Sequence, residues 1–242
     1  METIIKKITH TEEDKKIYEQ AGQILRAGGL VAFPTETVYG LGADALDAKA
    51  SAKIYAAKGR PSDNPLIVHI ADVNALYDLA KEVPDKALVL AEKFWPGPLT
   101  MILKKKDKVP DSITGGLGTV AIRMPSHKVA AELIRTSGVY IAAPSANTSG
   151  KPSPTRASHV IKDLSGKIDM IIEDDTVDIG VESTIIDLSE EVPTILRPGY
   201  ITKEMFEEVI GVVRIDPAIT EGVKSGVVPK APGMKYKHYA PD

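Results

Sequence analysis

Two short polar signatures in this 242-residue chain carry the side chains that anion-binding sites use. Lys58-Gly59-Arg60 follows a helical stretch and can direct two positive charges at one point. Ser145-Ala146-Asn147 follows an apolar run and adds a hydroxyl and an amide. Together they suit an anionic ligand, and a polyphosphate fits best. The alternatives are that the cations complement the dipole of the preceding helix, and that the second signature is a polar turn.

Further polar residues stand where apolar runs end. The loop after Leu30-Val31-Ala32-Phe33 carries two threonines and a glutamate, and Arg123 follows another apolar run. Open α/β sheets usually hold their ligands at strand ends, so we expect these residues to meet at one edge of a sheet. The plainer alternatives are a loop made of turn-forming residues and, for His69, a structural histidine.

Apolar periodicity predicts strands that alternate with helices. This alternation favours an α/β fold, a twisted open sheet with helices on its faces. The last three strands have no helix between them, which predicts antiparallel pairs and hence a mixed parallel and antiparallel sheet. Strands are predicted at 30–33, 66–70, 99–103, 120–123, 140–143, 170–172, 184–188 and 194–196, and helices after Thr11 and Asp47 and near 73–81, 85–94, 127–136, 156–164 and 203–210.

The apolar pattern fades beyond Ile210, and the last part of the chain is rich in proline and glycine. This change predicts a folded domain over residues 1–211 and a Pro/Gly-rich linker over 212–242.

Composition excludes several classes of function. The chain has no cysteine, hence no disulfide, thiol nucleophile or cysteine zinc site, and its five histidines lack metal-ligand spacing. A net charge of -3 argues against general coating of nucleic acid, although Lys104-Lys105-Lys106 leaves a local RNA contact open. No apolar run has the length of a signal peptide core or a membrane span, so the sequence predicts a cytoplasmic protein without membrane contact.

Longer motifs make a specific resemblance. The chain resembles the YrdC-like family of L-threonylcarbamoyladenylate synthases, and its tail resembles the linker of the two-domain branch, whose C-terminal domain is expected to be missing. The motifs span roughly residues 30–200 in order. They are Phe33-Pro34-Thr35-Glu36-Thr37-Val38-Tyr39-Gly40-Leu41-Gly42, Lys58-Gly59-Arg60, Asn64-Pro65-Leu66, Phe94-Trp95-Pro96-Gly97-Pro98-Leu99-Thr100, Ala143-Pro144-Ser145-Ala146-Asn147, Glu182-Ser183-Thr184 and Leu196-Arg197-Pro198-Gly199.

The resemblance implies a YrdC-like fold and a nucleotidyltransferase that makes threonylcarbamoyl-AMP and pyrophosphate from L-threonine, bicarbonate and ATP. It implies a role in forming N6-threonylcarbamoyladenosine on tRNA, with tRNA or tRNA-modification proteins as partners. Mg²⁺ is expected on the triphosphate, with no metal site of the protein itself. By similarity, ATP is assigned to Lys58, Arg60, Asn64, Thr119, Ser145, Asn147, Ser153, Arg197 and Tyr236, and threonine to Thr35, Thr37, His69, Arg123, Ala143 and Ser183.

Within this set, Lys58 and Arg60 are expected to stabilise the charge of the departing pyrophosphate, and no covalent nucleophile is expected. Two other readings stay open at this point. One is an RNA-binding module without catalysis that uses the same basic concavity. The other is a related domain that forms a different carbamoyl adenylate.

Overall fold

The described residues form one mixed sheet of eleven strands. The computed structural model describes residues 2–174, 177–221 and 230–231. The strand order is β1-β8-β2-β3-β7-β4-β6-β5-β9-β10-β11. The strands are β1 (Ile4–Lys7), β2 (Val31–Phe33), β3 (Gly40–Asp44), β4 (Ile67–His69), β5 (Leu99–Lys104), β6 (Thr119–Arg123), β7 (Ile141–Ala143), β8 (Met170–Glu173), β9 (Thr184–Asp187), β10 (Thr194–Arg197) and β11 (Arg214–Ile215).

Helices cover the sheet on both sides, as the alternation of apolar runs predicts. The predicted α/β class with a mixed open sheet is therefore confirmed. The described helices are α1 (Lys15–Arg26), α2 (Ala48–Lys58), α3 (Ala75–Leu79), α4 (Asp85–Phe94), α5 (Asp111–Thr114), α6 (Lys128–Ser137), α7 (Ala157–Leu164), α8 (Lys203–Ile210) and α9 (Ala218–Glu221).

The two faces of the sheet are buried differently. Successive residues of a strand point to opposite faces, and in β4 Val68 joins the largest hydrophobic cluster while Ile67 joins a small one. On the second face, α1 and α6 cover the half around β2, β7 and β8. The neighbouring half carries the small cluster, in which Ala231 packs with Ile67, Ile102, Ala121, Ile185 and Leu196. The candidate site lies on this half.

One row of residues crosses five strands of that half. His69 of β4 is paired with Arg123 of β6, which is paired with Thr100 of β5. Thr100 is paired with Ile185 of β9, which is paired with Arg197 of β10. Residues directly opposite each other project to the same face. The fold therefore aligns two arginines and a histidine that are far apart in sequence.

The loop that the sequence predicts after Phe33, over residues 34–42, is wrong in its last three residues, because Gly40–Asp44 forms strand β3. Glycine usually indicates a turn, but here it fits a strand between close neighbours. A Cβ atom on Gly42 would lie 2.6 Å from Ile141 and 2.8 Å from Phe33.

The predicted pairing within the last group of strands is correct only in part. β9 and β10 are antiparallel, but β8 lies between β1 and β2 and is parallel to both. The sequence also did not predict the short elements β1, α5, β11 and α9. The last two fall within the predicted linker.

Candidate functional site

One pocket collects most of the residues that the sequence singles out. Those that line it are Thr35, Thr37, Arg60, His69, Arg123, Ala143, Ser145, Ser183 and Arg197. Lys58, Asn64, Thr119, Asn147 and Ser153 are described but are not part of its lining. Tyr236 lies outside the described residues.

The pocket spans the sheet from one border to the other, so the expectation of a single shared edge is wrong. β7 is antiparallel to β4, which places Ser145 after the end of β7 beside the start of β4. The end of β4 lies at the opposite border, where Arg123 ends β6. Strands β2, β4 and β7 are each three residues long, so the two borders are close together. We call them the Ser145 border and the Arg123 border.

Lys58 joins the two anion-binding signatures at the Ser145 border. Its Nζ donates to the backbone carbonyls of Ser145 and Asn147. Burial, with a smaller effect from nearby Arg60, lowers the pKa of Lys58 to about 7. The same Nζ lies 3.4 Å from Asn147 Oδ1, so all three of these contacts are with the second signature. Lys58 thus lies behind the pocket wall, where it holds the second signature in place.

Arg60 is placed by the end of helix α2. Gly59 adopts a left-handed conformation (φ 60°) and ends the helix, so that the chain turns after Lys58. The Arg60 Nη2 donates to the carbonyls of Asn64 and Pro65, at 3.4 and 3.2 Å. Asn64 is buried, and its Oδ1 has no hydrogen-bond partner among the described residues.

The second signature uses many of its own polar groups internally. Asn147 accepts from the Ser145 hydroxyl at 2.5 Å, and its Nδ2 donates to the carbonyls of Thr148 and Lys151 at 3.0 and 2.7 Å. The turn alternative therefore accounts for Asn147, whose amide shapes the loop, whereas Ser145 also faces the pocket.

Two further residues predicted to bind ATP lie at the start of β6 and in the loop between β7 and α7. Thr119 is the first residue of β6, two positions before Ala121, which is paired with Ile67. Ser153 donates its hydroxyl to Glu182 at 2.7 Å.

Arg123 is held by two consecutive residues of the β2–β3 loop. Its Nη1 donates to Thr37 Oγ1 at 2.9 Å, and its Nη2 lies 2.7 Å from Glu36 Oε1. Thr37 Oγ1 also lies 3.0 Å from Thr35 Oγ1. Burial alone would raise the pKa of Glu36, but attraction to Arg123 outweighs it and the pKa is lowered. Glu36 is therefore a carboxylate, and the guanidinium has a full counter-charge.

Ser183 and Arg197 lie together at the same border. Arg197 donates through Nη2 to Ser183 Oγ and through Nε to the Ser183 carbonyl, both at 3.0 Å. The Ser183 hydroxyl also lies 2.7 Å from Thr100 Oγ1. The resemblance assigns Arg197 to ATP, yet the structure places it against a residue assigned to threonine. Ala143, assigned to threonine, ends β7 at the opposite border.

His69 is a neutral side chain with a defined tautomer. Its Nδ1 lies 3.1 Å from the Ile67 carbonyl and 3.3 Å from the Ile141 carbonyl, so Nδ1 carries the proton. Burial, followed by repulsion from Arg123, lowers the pKa of His69 to about 3. A purely structural role for His69 accounts for the hydrogen bonding of Nδ1. Nε2 remains a hydrogen-bond acceptor, and the side chain lines the pocket.

Two acidic residues of the site received no role from the sequence. Glu182 lines the pocket, and Glu36 lies behind it with 3% of its surface exposed. Both lie within the motifs of the family resemblance, so the sequence indicates that they are near the site. It does not indicate their partners, because Glu36 meets Arg123 across 87 residues of chain.

Comparison with known proteins identifies the family. A family model named Sua5_yciO_yrdC, with the description telomere recombination, matches residues 23–199. The chain belongs to the Sua5/YciO/YrdC family. A second model, described as the C-terminal domain of threonylcarbamoyl-AMP synthase, matches residues 201–242. The expectation that this part of the family is missing from the chain is therefore not borne out.

Two curated relatives are similar over nearly the whole chain. A threonylcarbamoyl-AMP synthase of Pyrococcus abyssi is 58% identical over 99% of this chain and 69% of its own length. A threonylcarbamoyl-AMP synthase of Bacillus subtilis is 56% identical over 92% of this chain and 64% of its own length. The chain thus spans about two thirds of the length of these relatives.

A solved family structure has the same fold. The crystal structure of P. abyssi Sua5 complexed with L-threonine matches with a TM-score of 0.92 and 55% identity, over 100% of this chain and 69% of that one. Among the described helices, none has the length and apolar character that crossing a bilayer requires.

Proposed function

We propose that this chain makes L-threonylcarbamoyl-AMP and pyrophosphate from L-threonine, bicarbonate and ATP, for the formation of N6-threonylcarbamoyladenosine on tRNA. The curated relatives at 58% and 56% identity bear the name of that activity. The structural observation that carries the proposal is the pocket itself, which gathers Arg60, Arg123 and Arg197 with the hydroxyls of Ser145 and Ser183. Such a set of cations and small donors suits a triphosphate beside an amino acid.

The chemistry makes modest demands on the protein. The threonine amine and bicarbonate give a carbamate and water, and a carbamate oxygen attacks the α-phosphorus of ATP. The bond from the α-phosphorus to the bridging oxygen breaks, and pyrophosphate leaves with the electron pair. The protein then needs to align two anions and to offset charge as pyrophosphate departs. Arginines at both borders meet this need.

We assign the nucleotide to the Ser145 border. Arg60 and Ser145 line the pocket there, and Lys58 holds the backbone of the second signature behind it. Asn64 belongs to the same set, and its backbone carbonyl accepts from Arg60 Nη2 at 3.4 Å. Thr119, Asn147, Ser153, Arg197 and Tyr236 complete the proposed ATP set.

We assign threonine to the Arg123 border. Arg123 lines the pocket there and supplies a guanidinium for the substrate carboxylate. Thr37 and Ser183 present hydroxyls that can read the substrate hydroxyl, and His69 Nε2 can accept from the substrate amine. Thr35 and the backbone of Ala143 complete the proposed threonine set.

Mg²⁺ is proposed as a companion of the triphosphate. Within the described residues, no three His, Cys, Asp or Glu side chains group as a metal site. Mg²⁺ commonly uses one or two carboxylates plus substrate phosphates, and Glu182 supplies a carboxylate beside Ser153. Bound there with ATP, the ion would offset the charge of the phosphates.

The boundary at residue 211, between the folded domain and the linker, remains part of this proposal. Contact with tRNA or tRNA-modification proteins is proposed as well. A local RNA contact by Lys104-Lys105-Lys106 has less support, because each of these lysines has a partner elsewhere in the chain. Lys104 lies 3.2 Å from Glu82, Lys105 lies 3.0 Å from Asp111, and Lys106 donates to a backbone carbonyl at 2.5 Å.

Mass spectrometry of the product from ATP, L-threonine and bicarbonate tests the proposal directly. We expect threonylcarbamoyl-AMP, with pyrophosphate release that depends on threonine. Serine in place of threonine, and carbamoyl phosphate in place of bicarbonate, test the substrate specificity. An adenylate formed from these substitutes would indicate a related domain that makes a different carbamoyl adenylate. RNA binding with a steep salt dependence and no ATP binding by calorimetry would favour the RNA-binding module.

The variants Lys58→Ala and Arg60→Ala should each abolish threonine-dependent pyrophosphate release while circular dichroism shows a folded chain. Lys58→Ala releases the Ser145 loop, and Arg60→Ala removes a cation from the nucleotide end of the pocket. Turnover near that of the unchanged protein in both variants would overturn the assignment of this border to ATP.

A further inference from the structure

Glu36 is a buried carboxylate that the proposed reaction does not use directly. Only 3% of its surface is exposed, and it is not part of the pocket lining, although Thr35 and Thr37 on either side are. A buried charge is costly unless it is paired, so its presence needs a reason.

The first reason is the charge of Arg123. A guanidinium stays protonated in proteins, so a buried arginine needs a counter-charge. Glu36 Oε1 provides it at 2.7 Å from Nη2, with side-chain exposures of 5% for Arg123 and 4% for Glu36.

The second reason is orientation. Glu36 and Thr37 are consecutive, and they engage the two terminal nitrogens of the same guanidinium, Nη2 and Nη1. Two contacts on a planar group fix both its position and its rotation. The guanidinium is then held in one orientation, with Nη1 donating to Thr37 and Nη2 in an ion pair with Glu36.

Glu36 also links Arg123 to the segment that carries Ser183. The Ile179 backbone N–H donates to the Glu36 carbonyl at 2.9 Å, four residues before Ser183. Arg197 in turn donates to Ser183. The backbone of Glu36 therefore also supports the segment that carries Ser183, a residue of the proposed threonine set.

We propose that Glu36 is a positioning residue for the amino-acid substrate, which acts by holding Arg123 in the orientation that receives the substrate carboxylate. This inference rests on the proposed function. The role of Glu36 is specific to the amino-acid substrate, because a different set of contacts, around Lys58 and Asn147, holds the nucleotide end of the pocket. The two Michaelis constants should therefore respond differently to its replacement.

Steady-state kinetics of pyrophosphate release on Glu36→Gln tests this. The substitution keeps the shape of the side chain and removes its charge, and we expect the KM for threonine to rise about tenfold while the KM for ATP stays within about twofold. Glu132→Gln serves as the matched control, because Glu132 pairs with Arg135 on the exposed side of α6 at 3.7 Å and should leave both constants unchanged. Parallel rises in both constants, or no rise for threonine, would overturn the proposal.

A double-mutant cycle with Arg123→Lys shows whether Glu36 acts through Arg123. If it does, Glu36→Gln adds little to the threonine KM once the guanidinium is gone, whereas additive effects contradict the proposal. Should Glu36→Gln not fold, Glu36→Asp keeps the charge on a shorter side chain and takes its place, with the same selective rise expected. Failure of the proposed function is distinguishable, since the unchanged protein would then form no threonine-dependent adenylate.

Discussion

Arg123 and Lys58 are two buried cations at opposite borders of one pocket, and they are accommodated in different ways. Arg123 lies 2.7 Å from the carboxylate of Glu36 and keeps its charge. Lys58 donates to two backbone carbonyls, and burial lowers its pKa to about 7. An arginine cannot lose its proton, so it requires a counter-ion, whereas a lysine can become neutral. The threonine end thus has a permanent ion pair, and the nucleotide end has a group whose charge depends on its surroundings.

The largest expected effect is on stability. Arg123→Met leaves Glu36 buried without its counter-charge and should lower the free energy of unfolding by about 3–5 kcal/mol. Lys58→Met at pH 8 removes a largely neutral group and should cost about 1–3 kcal/mol, from lost hydrogen bonds to Ser145 and Asn147. Urea denaturation measures both.

The double variant Glu36→Gln with Arg123→Met is the control, and it should recover part of the loss because no buried charge then remains unpaired. Equal losses for Arg123→Met and Lys58→Met would contradict the distinction between the two borders.

The next effect is on the pH dependence of stability. Between pH 7 and 10 an unfolded Lys58, with its ordinary pKa of 10.5, binds a proton that the folded side chain has released. Stability rises with pH wherever the unfolded state holds more protons. From pH 7.5 to 9 the free energy of unfolding should therefore rise by roughly 1–2 kcal/mol more in the unchanged protein than in Lys58→Met. A difference that stays constant with pH would mean that Lys58 keeps its charge when folded.

The smallest effect accompanies nucleotide binding. A triphosphate near Lys58 favours its protonated form, so ATP binding at pH 8 should take up a fraction of a proton. Calorimetry in two buffers of different ionisation enthalpy measures this uptake. The same titration at pH 6, where Lys58 is already charged, should show a smaller uptake, and equal values at both pH values would exclude Lys58 as the source.

The sequence predicts the fold class well because buried strands are continuous apolar runs. Leu99–Leu103 and Val120–Arg123 are predicted in this way, although each contains one polar residue. The sequence does not predict strand β3, because Gly40 and Gly42 are residues typical of loops. In the structure these glycines allow close packing against Phe33 and Ile141. The strand order is also not predicted from the sequence, since β8 pairs with β1 and β2, which are far from it in the sequence.

For the site, motif spacing predicts which residues gather but not what each of them contacts. The sequence predicts that the two signatures meet, yet Lys58 contacts the backbone of the second signature and does not line the pocket. Asn147 was assigned to ATP, and its amide shapes its own loop. Such contacts depend on the side-chain directions that the finished fold imposes, and a linear sequence does not contain them.

The three-residue strands at the centre of the sheet have a consequence for how two reactants meet. At about 3.3 Å per residue, β4 and β7 measure only about 10 Å from end to end. Two ligands can approach a sheet this narrow from its two borders at the same time. A nucleotide arriving over one flank and an amino acid over the other would bring their reactive ends together above the middle, so neither has to pass the other on the way in.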